Sequence, residues 1–176
     1  EEEVAKGDIR SKGFDLNGIW VPYYTQHKVM SGLHDAYHLC GSQKALTIQK
    51  KFADWLAGII MGLDDSQVQK MLNCEHGGIN EALANLYADT GNEKYLDMSR
   101  VFYHKAILEP LAKGEDILPG KHGNTQIPKI LGLSRLYELT GNEKDRKTAA
   151  FFWQRVVDCH SYVTGGHGNH EYFGEP

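Results

Sequence analysis

The segment Leu83-Ala-Asn-Leu-Tyr-Ala-Asp-Thr-Gly-Asn-Glu-Lys-Tyr-Leu-Asp-Met-Ser-Arg-Val-Phe102 has the pattern of two amphipathic helices with a very short break between them. Apolar side chains recur three and four residues apart on both sides of the break, at Ile79, Leu83, Leu86 and Tyr87 and then at Tyr95, Met98 and Phe102. At the break, Gly91 can adopt the left-handed conformation that ends a helix, and Asn92 can cap the next one. So short a connection forces the two helices to run antiparallel, so the segment predicts a helical hairpin.

The same block recurs upstream and downstream at a constant spacing of 50 residues. The matching columns are Tyr37, Tyr87 and Tyr137; Gly41, Gly91 and Gly141; Lys44, Lys94 and Lys144; Phe52, Phe102 and Phe152; and the small residues Gly32, Ala82 and Gly132. An internal repeat of this length indicates stacked supersecondary units. The sequence therefore predicts an all-α fold of repeated antiparallel helical hairpins, at about residues 25–60, 76–110 and 125–160.

The repeat also predicts where a functional site lies. If the three short turns share one end of the assembly, the long connections share the other end. These connections are roughly residues 12–26, 62–76, 110–126 and 160–176, and they contain or adjoin His27, His76, His122, His167 and His170. A rigid helical scaffold with long polar loops at one end is a common way to present a site.

Composition excludes several classes of partner. The chain has 176 residues, 41% of them hydrophobic, which suffices for one ordinary domain with a core. Its 19 basic and 23 acidic residues are interspersed and give a net charge of −4, so we expect no nucleic-acid partner. No apolar run approaches the roughly 20 residues of a membrane-spanning helix, so we expect no membrane partner. The compartment stays open between cytoplasmic and extracytoplasmic, periplasmic or secreted, in a bacterium.

The hairpin count suggests that the domain continues outside this chain. Three hairpins form a curved stack with two open apolar flanks, and the last residue, Pro176, falls within a polar loop. We therefore expect residues 1–176 to form one incomplete segment of a larger domain, ending in a site loop at 161–176.

That terminal loop is the strongest local signal for chemistry. Residues 162–176 read Tyr-Val-Thr-Gly-Gly-His-Gly-Asn-His-Glu-Tyr-Phe-Gly-Glu-Pro. Glycines let the backbone approach a ligand, carboxylates and imidazoles transfer protons, and aromatic rings offer stacking faces for sugars. The same composition is also typical of a solvated loop, which is the alternative explanation.

Three histidines occupy equivalent positions in successive hairpins. His27, His76 and His122 each lie near the start of the first helix of a pair. A single histidine there is usually a cap or a surface residue. Three of them, together with His167 and His170 in the last loop, favour convergence on one axis.

The cysteines predict no metal site within this chain. Cys74, His76, Cys159 and His160 are ligand types that zinc accepts, and the predicted hairpins could bring Cys159 toward Cys74. Their spacing matches no familiar zinc motif, however, and free cysteines are most often small buried hydrophobes. Cys40 lies at the opposite, short-turn end and is assigned a structural role.

Four ordered stretches of the loops resemble glycoside hydrolase family 127 and its relatives, the β-L-arabinofuranosidases. The stretches are residues 21–28 (Val-Pro-Tyr-Tyr-Thr-Gln-His-Lys), 77–81 (Gly-Gly-Ile-Asn-Glu), 122–128 (His-Gly-Asn-Thr-Gln-Ile-Pro), and 162–166 (Tyr-Val-Thr-Gly-Gly) followed by Glu171-Tyr172-Phe173. The resemblance implies that the hairpins are part of an (α/α)6 toroid. It also implies a retaining exo-glycosidase that releases L-arabinose from plant-type glycans or glycoproteins.

The resemblance further implies roles for individual residues. Glu171 matches the general acid/base of the family, and His27, His76 and His122 match histidines that line its sugar pocket. Tyr24, Gln26, His167 and His170 complete the expected substrate-binding set.

In this family the nucleophile is a cysteine thiolate on zinc, a coordination that keeps the thiol deprotonated. None of the three cysteines matches it, so we expect the zinc ligands beyond Pro176. The partners implied are a carbohydrate substrate, the remainder of the toroid and β-domains of a longer parent chain. The isolated chain is expected to be inactive.

Two other functions fit parts of the pattern. A sugar epimerase or isomerase on the same toroid would use two histidines as proton carriers, and the histidine-rich end suits it. A non-catalytic helical-repeat scaffold would instead bind a peptide along its helix faces. The concentration of distinctive residues in loops at one end counts against the scaffold.

Overall fold

The three short turns have the geometry that their glycines predict. The structure is a computed structural model that describes residues 1–176. Gly41, Gly91 and Gly141 all adopt the left-handed conformation, with φ of 67°, 67° and 70°. Asn92 and Asn142 then each accept a backbone N–H at the start of the following helix. The predicted glycine stops and asparagine caps are thus confirmed.

Nine helices and one small sheet make up the chain. The helices are α1 (Glu2–Ala5), α2 (Pro22–Cys40), α3 (Gln43–Ile60), α4 (Asp65–Met71), α5 (Ile79–Thr90), α6 (Glu93–Val101), α7 (Lys105–Ala112), α8 (Gly123–Thr140) and α9 (Glu143–Cys159). The strands are β1 (Ser11–Lys12), β2 (Asp15–Leu16) and β3 (Ile19–Trp20). None of the helices is both long enough and apolar enough to span a membrane.

The helices form two layers. The first helices of the three hairpins, α2, α5 and α8, lie side by side, with α5 in contact with both neighbours. The returning helices form the second layer, in which α3 contacts α6 and α7 contacts α9. This arrangement confirms the all-α prediction. It also places the N-termini of α2, α5 and α8 at the end that carries the long loops.

The second hairpin contains a break that the periodicity does not reveal. Its returning helix stops at Val101 and resumes as α7 at Lys105. Gln69 of α4 spans the gap, because its amide donates to the carbonyl of Tyr103 at 3.0 Å and accepts from the N–H of Lys105 at 2.8 Å. The break turns His104 into the buried interior.

The core has two parts that meet at α5. One cluster joins the first two hairpins and includes Tyr23, Leu56 and Leu83, and the other joins the last two. Phe173 of the terminal loop is buried in the second cluster, with its ring centroid 6.2 Å from that of Phe152. This anchor holds the end of the chain against the N-terminus of α8.

The lead-in segment forms a three-stranded antiparallel sheet, for which the sequence analysis made no prediction. Its strands have two residues each, too few for an alternating pattern to be visible. The β2–β3 turn uses Asn17 and Gly18, both with positive φ. The sheet docks on the loop before α5, where the N–H of Glu75 donates to the carbonyl of Gly13 at 2.8 Å.

Helices α5 and α8 approach each other closely where Gly132 of α8 contacts Asn80 of α5. A Cβ added at Gly132 would overlap the side chain of Asn80, which is buried and donates to the carbonyl of Lys129 at 3.0 Å. We expect Gly132→Ala to lower the free energy of unfolding by about 2 kcal/mol, because this contact cannot relax without losing that hydrogen bond. Urea denaturation of the chain measures it.

The repeat supplies a matched control in the same column. Gly32 lies within α2 and has open space around its Cα, so Gly32→Ala should raise the free energy of unfolding by about 0.5–1 kcal/mol. Equal effects of the two substitutions would contradict the packing argument.

Candidate active site

A cleft of about 330 Å³ opens at the long-loop end of the helices. The sheet, the start of α2, the loop before α5, the start of α8 and the terminal loop all contribute to it. Its lining residues are Phe14, Trp20, Val21, Tyr24, Glu75, His122, Asn124 and Glu171. Two carboxylates, an imidazole and several aromatic rings thus share one small concave surface.

Glu171 lies at this cleft on an unusual backbone. Both His170 and Glu171 have positive φ, at 49° and 72°, which is strained for residues other than glycine. The carbonyl of Glu171 accepts from the N–H of Gly123 at 2.8 Å, in the first turn of α8. Its carboxylate is 74% exposed and lies 3.6 Å from Nε2 of His122. The backbone therefore fixes the residue, while the carboxylate stays accessible.

The His122 ring is held on three sides. It lies between the rings of Phe14 and Tyr172, with centroids 5.4 Å and 5.3 Å away. Its Nδ1 is 2.8 Å from the hydroxyl of Thr125. When that hydroxyl donates to Nδ1, the neutral ring carries its proton on Nε2 and directs it toward Glu171.

His27 is buried behind Tyr24. The N–H of Gly78 donates to its Nδ1 at 3.1 Å, and burial lowers the pKa of His27 to about 4, so the ring is neutral at neutral pH. Gly77 has a φ of 55°, and a Cβ there would lie 2.6 Å from Nδ1 of His27. The Gly77-Gly78 pair is therefore what lets the loop before α5 approach this histidine.

A buried polar cluster lies next to the cleft. Nζ of Lys129 is 3.0 Å from Nδ1 of His104 and 3.0 Å from Oε1 of Gln126. Burial lowers the pKa of Lys129 to about 7, against the opposing effect of the Glu75 charge. Nδ1 of His76 lies 3.1 Å from the carbonyl oxygen of Cys74 and donates to it when the ring proton is on Nδ1. Nε2 of His76 has no hydrogen-bond partner. Glu75 links the two regions, because it lines the cleft and acts on Lys129.

Comparison with known proteins identifies the family. The family model for β-L-arabinofuranosidase, GH127 catalytic domain, matches residues 4–176. The chain belongs to glycoside hydrolase family 127. None of the curated proteins compared with it gives a match. The helical hairpins are therefore part of the (α/α)6 toroid of this family, as the resemblance predicted.

The structure brings together some of the predicted family 127 site residues. Tyr24, His122 and Glu171 line the cleft, and His27 packs behind Tyr24 with ring centroids 6.1 Å apart. His76 is fully buried in the neighbouring polar cluster. The catalytic role of Glu171 and the binding roles of the others stay predictions.

Three further predicted residues do not line this cleft. Gln26 faces a separate cleft of about 490 Å³ beside the N-terminal helix. His167 packs on Phe173, with ring centroids 5.7 Å apart. His170 is exposed, with its Nδ1 2.8 Å from Oδ1 of Asn169.

Five residues of the cleft received no individual role from the sequence. Phe14 and Trp20 come from the small sheet, Val21 precedes α2, and Glu75 and Asn124 lie within two residues of His76 and His122. The Asn17-Gly18 pair is a signal that could have found the first two, since Asn-Gly is the preferred sequence of a tight hairpin turn.

The cysteines of this chain do not fit the thiolate zinc centre that the family implies. Cys40 is exposed at the short-turn end, and Cys159 is half-buried beside His160. Cys74 is buried in the first core cluster, and burial raises the pKa of its thiol to about 12, which keeps it protonated. None of them lines the cleft, so no catalytic step is assigned to a metal-bound thiolate of this chain.

The buried histidines predict a loss of stability in acid. Burial lowers the pKa values of His27 to about 4, of His104 to about 3 and of His76 well below 6.5. Between pH 6.5 and 4 the unfolded chain therefore binds more protons than the folded chain. The free energy of unfolding should fall as the pH falls through this window. Lys129 has the same effect at higher pH. Because its pKa is lowered from 10.5 in the unfolded chain to about 7 in the folded chain, the free energy of unfolding should also fall as the pH falls from 10.5 to 7.

His104→Asn isolates one part of this effect. The asparagine Oδ1 can accept from Lys129 in place of Nδ1 but cannot take up a proton. Urea denaturation at a series of pH values should show about one proton fewer taken up on unfolding near pH 5. An unaltered slope in His104→Asn would contradict the assignment.

Proposed function

We propose that this chain supplies the acid/base part of a retaining exo-β-L-arabinofuranosidase, which releases L-arabinose from plant-type glycans or glycoproteins. The observation that carries the proposal is the carboxylate of Glu171, 3.6 Å from Nε2 of His122 at the edge of an aromatic cleft. Membership of family 127 supports a glycosidase. The linkage, the sugar and the exo mode belong to the proposal.

In this mechanism Glu171 protonates the glycosidic oxygen as the bond to the sugar breaks. It then removes a proton from the water that releases the product. An acid of this kind needs a carboxyl group that holds its proton, and burial is the usual means. Because the Glu171 side chain is exposed in this chain, the proposal assigns this burial to the bound substrate together with the remainder of the toroid.

The neighbouring groups suit the recognition of a sugar. His122 can donate a hydrogen bond from Nε2 to Glu171 or to a hydroxyl, and the buried carboxylate of Glu75 can accept hydrogen bonds from hydroxyl groups. Trp20, 73% exposed, supplies a broad apolar face beside them. A volume of about 330 Å³ accommodates one pentose ring and part of its leaving group, which suits removal of a terminal sugar.

Retention also needs a nucleophile on the opposite face of the ring. The proposal places that group outside these residues, because no cysteine of the chain lines the cleft. The 176-residue chain alone is therefore assigned substrate recognition and proton transfer, without turnover.

Glu171→Gln tests the acid role in the complete polypeptide that carries this chain. With an aryl β-L-arabinofuranoside that has a poor leaving group, we expect kcat to fall by about 10²–10⁴-fold. With a good leaving group, which departs without a proton, the fall in the bond-breaking step should be much smaller. Steady-state and burst kinetics on both substrates measure this.

The control is Glu175→Gln, which alters the other carboxylate of the terminal loop and should leave kcat near the wild-type value. An equal loss on both leaving groups would contradict the acid role. If the wild type shows no turnover on arabinofuranosides, the substrate assignment fails. Deuterium incorporation from solvent into free sugars would then test the epimerase alternative.

Trp20→Ala tests the aromatic face. Loss of ring stacking worth about 1 kcal/mol should raise KM about fivefold with little change in kcat. Trp153 is a suitable control, because it is exposed on α9 and lies outside the cleft. A Trp153→Ala variant with the same rise in KM would show that the effect is not local to the cleft.

A further inference from the structure

The short-turn end of the molecule carries a second cluster of ligand-type side chains. His34 and His38 lie one turn apart on α2, and Asp89 faces them from α5. Nε2 of His38 is 2.8 Å from Oδ1 of Asp89, and Nε2 of His34 is 3.7 Å from Oδ2. One ligand atom from each of the three residues lies within 4.8 Å of the others. None of these three residues lines the cleft, and Cys40, the last residue of α2, follows His38 by two residues at the same end.

The carboxylate of Asp89 is incompletely satisfied. Its side chain is only 9% exposed, and Oδ2 is buried without a hydrogen-bond partner. A buried carboxylate oxygen without a partner is costly, so this geometry is expected to serve a bound group. Oδ2 and Nε2 of His34 are at a separation that two ligands of one ion can have, and too far apart for a direct hydrogen bond.

The two histidines approach one carboxylate from the same helix face. Their rings are 4.3 Å apart between centroids, and Nε2 of each ring is directed at an oxygen of Asp89. Two histidines at i and i+4 on one helix face, with a carboxylate from a neighbouring element, form a donor set typical of zinc.

We propose that His34, His38 and Asp89 bind one divalent transition-metal ion of the zinc type, which links α2 to α5. Two neighbouring side chains of α2 contact the histidines. Oδ1 of Asp35 lies 3.7 Å from Nδ1 of His34, and the Tyr37 ring packs edge-on against His38 at 4.9 Å. With three protein ligands, the ion keeps at least one position for water. The site stands independently of the proposed arabinofuranosidase activity.

Titration of the metal-free chain tests the proposal. The 176-residue chain, freed of metal with a chelator and kept reduced, is titrated with zinc by calorimetry and with cobalt(II) by absorption. We expect one equivalent of metal and a cobalt spectrum of nitrogen and oxygen ligands, without a thiolate charge-transfer band. Zinc should also raise the melting temperature, and the chelator should reverse this rise.

Substitutions assign the ligands. His34→Asn, His38→Asn and Asp89→Asn should each weaken zinc binding by more than about 100-fold, because loss of a ligand exceeds the usual effect of an outer partner. His170→Asn, which removes an exposed histidine elsewhere, should bind like the wild type. Circular dichroism of each variant without metal checks that it is folded, and the partly exposed His38 makes that variant the least disruptive.

Three results would overturn the proposal. The first is the absence of saturable binding at millimolar zinc. The second is binding that survives in all three variants. The third is a thiolate band in the cobalt spectrum, which would place the metal on the cysteines.

Discussion

The geometry of the whole chain depends on three left-handed glycines. Gly41, Gly91 and Gly141 each end a helix of the first layer, and each reverses the chain within two residues. A side chain at these positions would be strained, and a longer turn would let the helices diverge. Because the three reversals lie at one end, every long connection has to lie at the other. The cleft is thus a consequence of where the short turns are.

Backbone hydrogen bonds then assemble the cleft from segments that are distant in sequence. The terminal loop pairs with residues 120–123, since Phe173 bonds with Gly120 and Lys121, and Glu171 bonds with Gly123. The sheet is held to the loop before α5 in the same way, through Gly13 and Glu75. Main-chain bonds of this kind position Glu171 without using its carboxylate, which stays available for chemistry. The buried polar cluster around Lys129 and His104 lies next to the cleft and lowers the stability of the fold. Proteins commonly tolerate such a loss of stability beside a functional site.

The hairpins and their ends could be predicted because glycine stops, asparagine caps and apolar stripes are local signals. The break before α7 could not, since the residue that bridges it, Gln69, belongs to another helix. Trp20 and Glu75 were missed for a related reason, as only the docking of the sheet on the loop before α5 makes them neighbours. His34 and His38 show the same limit. Their spacing on one helix face is visible, but Asp89, which is 51 residues from His38, joins them only through the packing of α5 on α2.

The common direction of the first-layer helices gives the two ends of the molecule opposite partial charges. Helices α2, α5 and α8 are the first helices of equivalent hairpins, so they run parallel and their dipoles add instead of cancelling. Their N-termini carry partial positive charge, which favours anionic groups there, and Glu75 and Glu171 lie beside the starts of α5 and α8. Their C-termini carry partial negative charge, which favours a cation, and His38 and Asp89 lie in the last turns of α2 and α5. The same parallel layer therefore suits a carboxylate-based site at one end and a bound metal ion at the other.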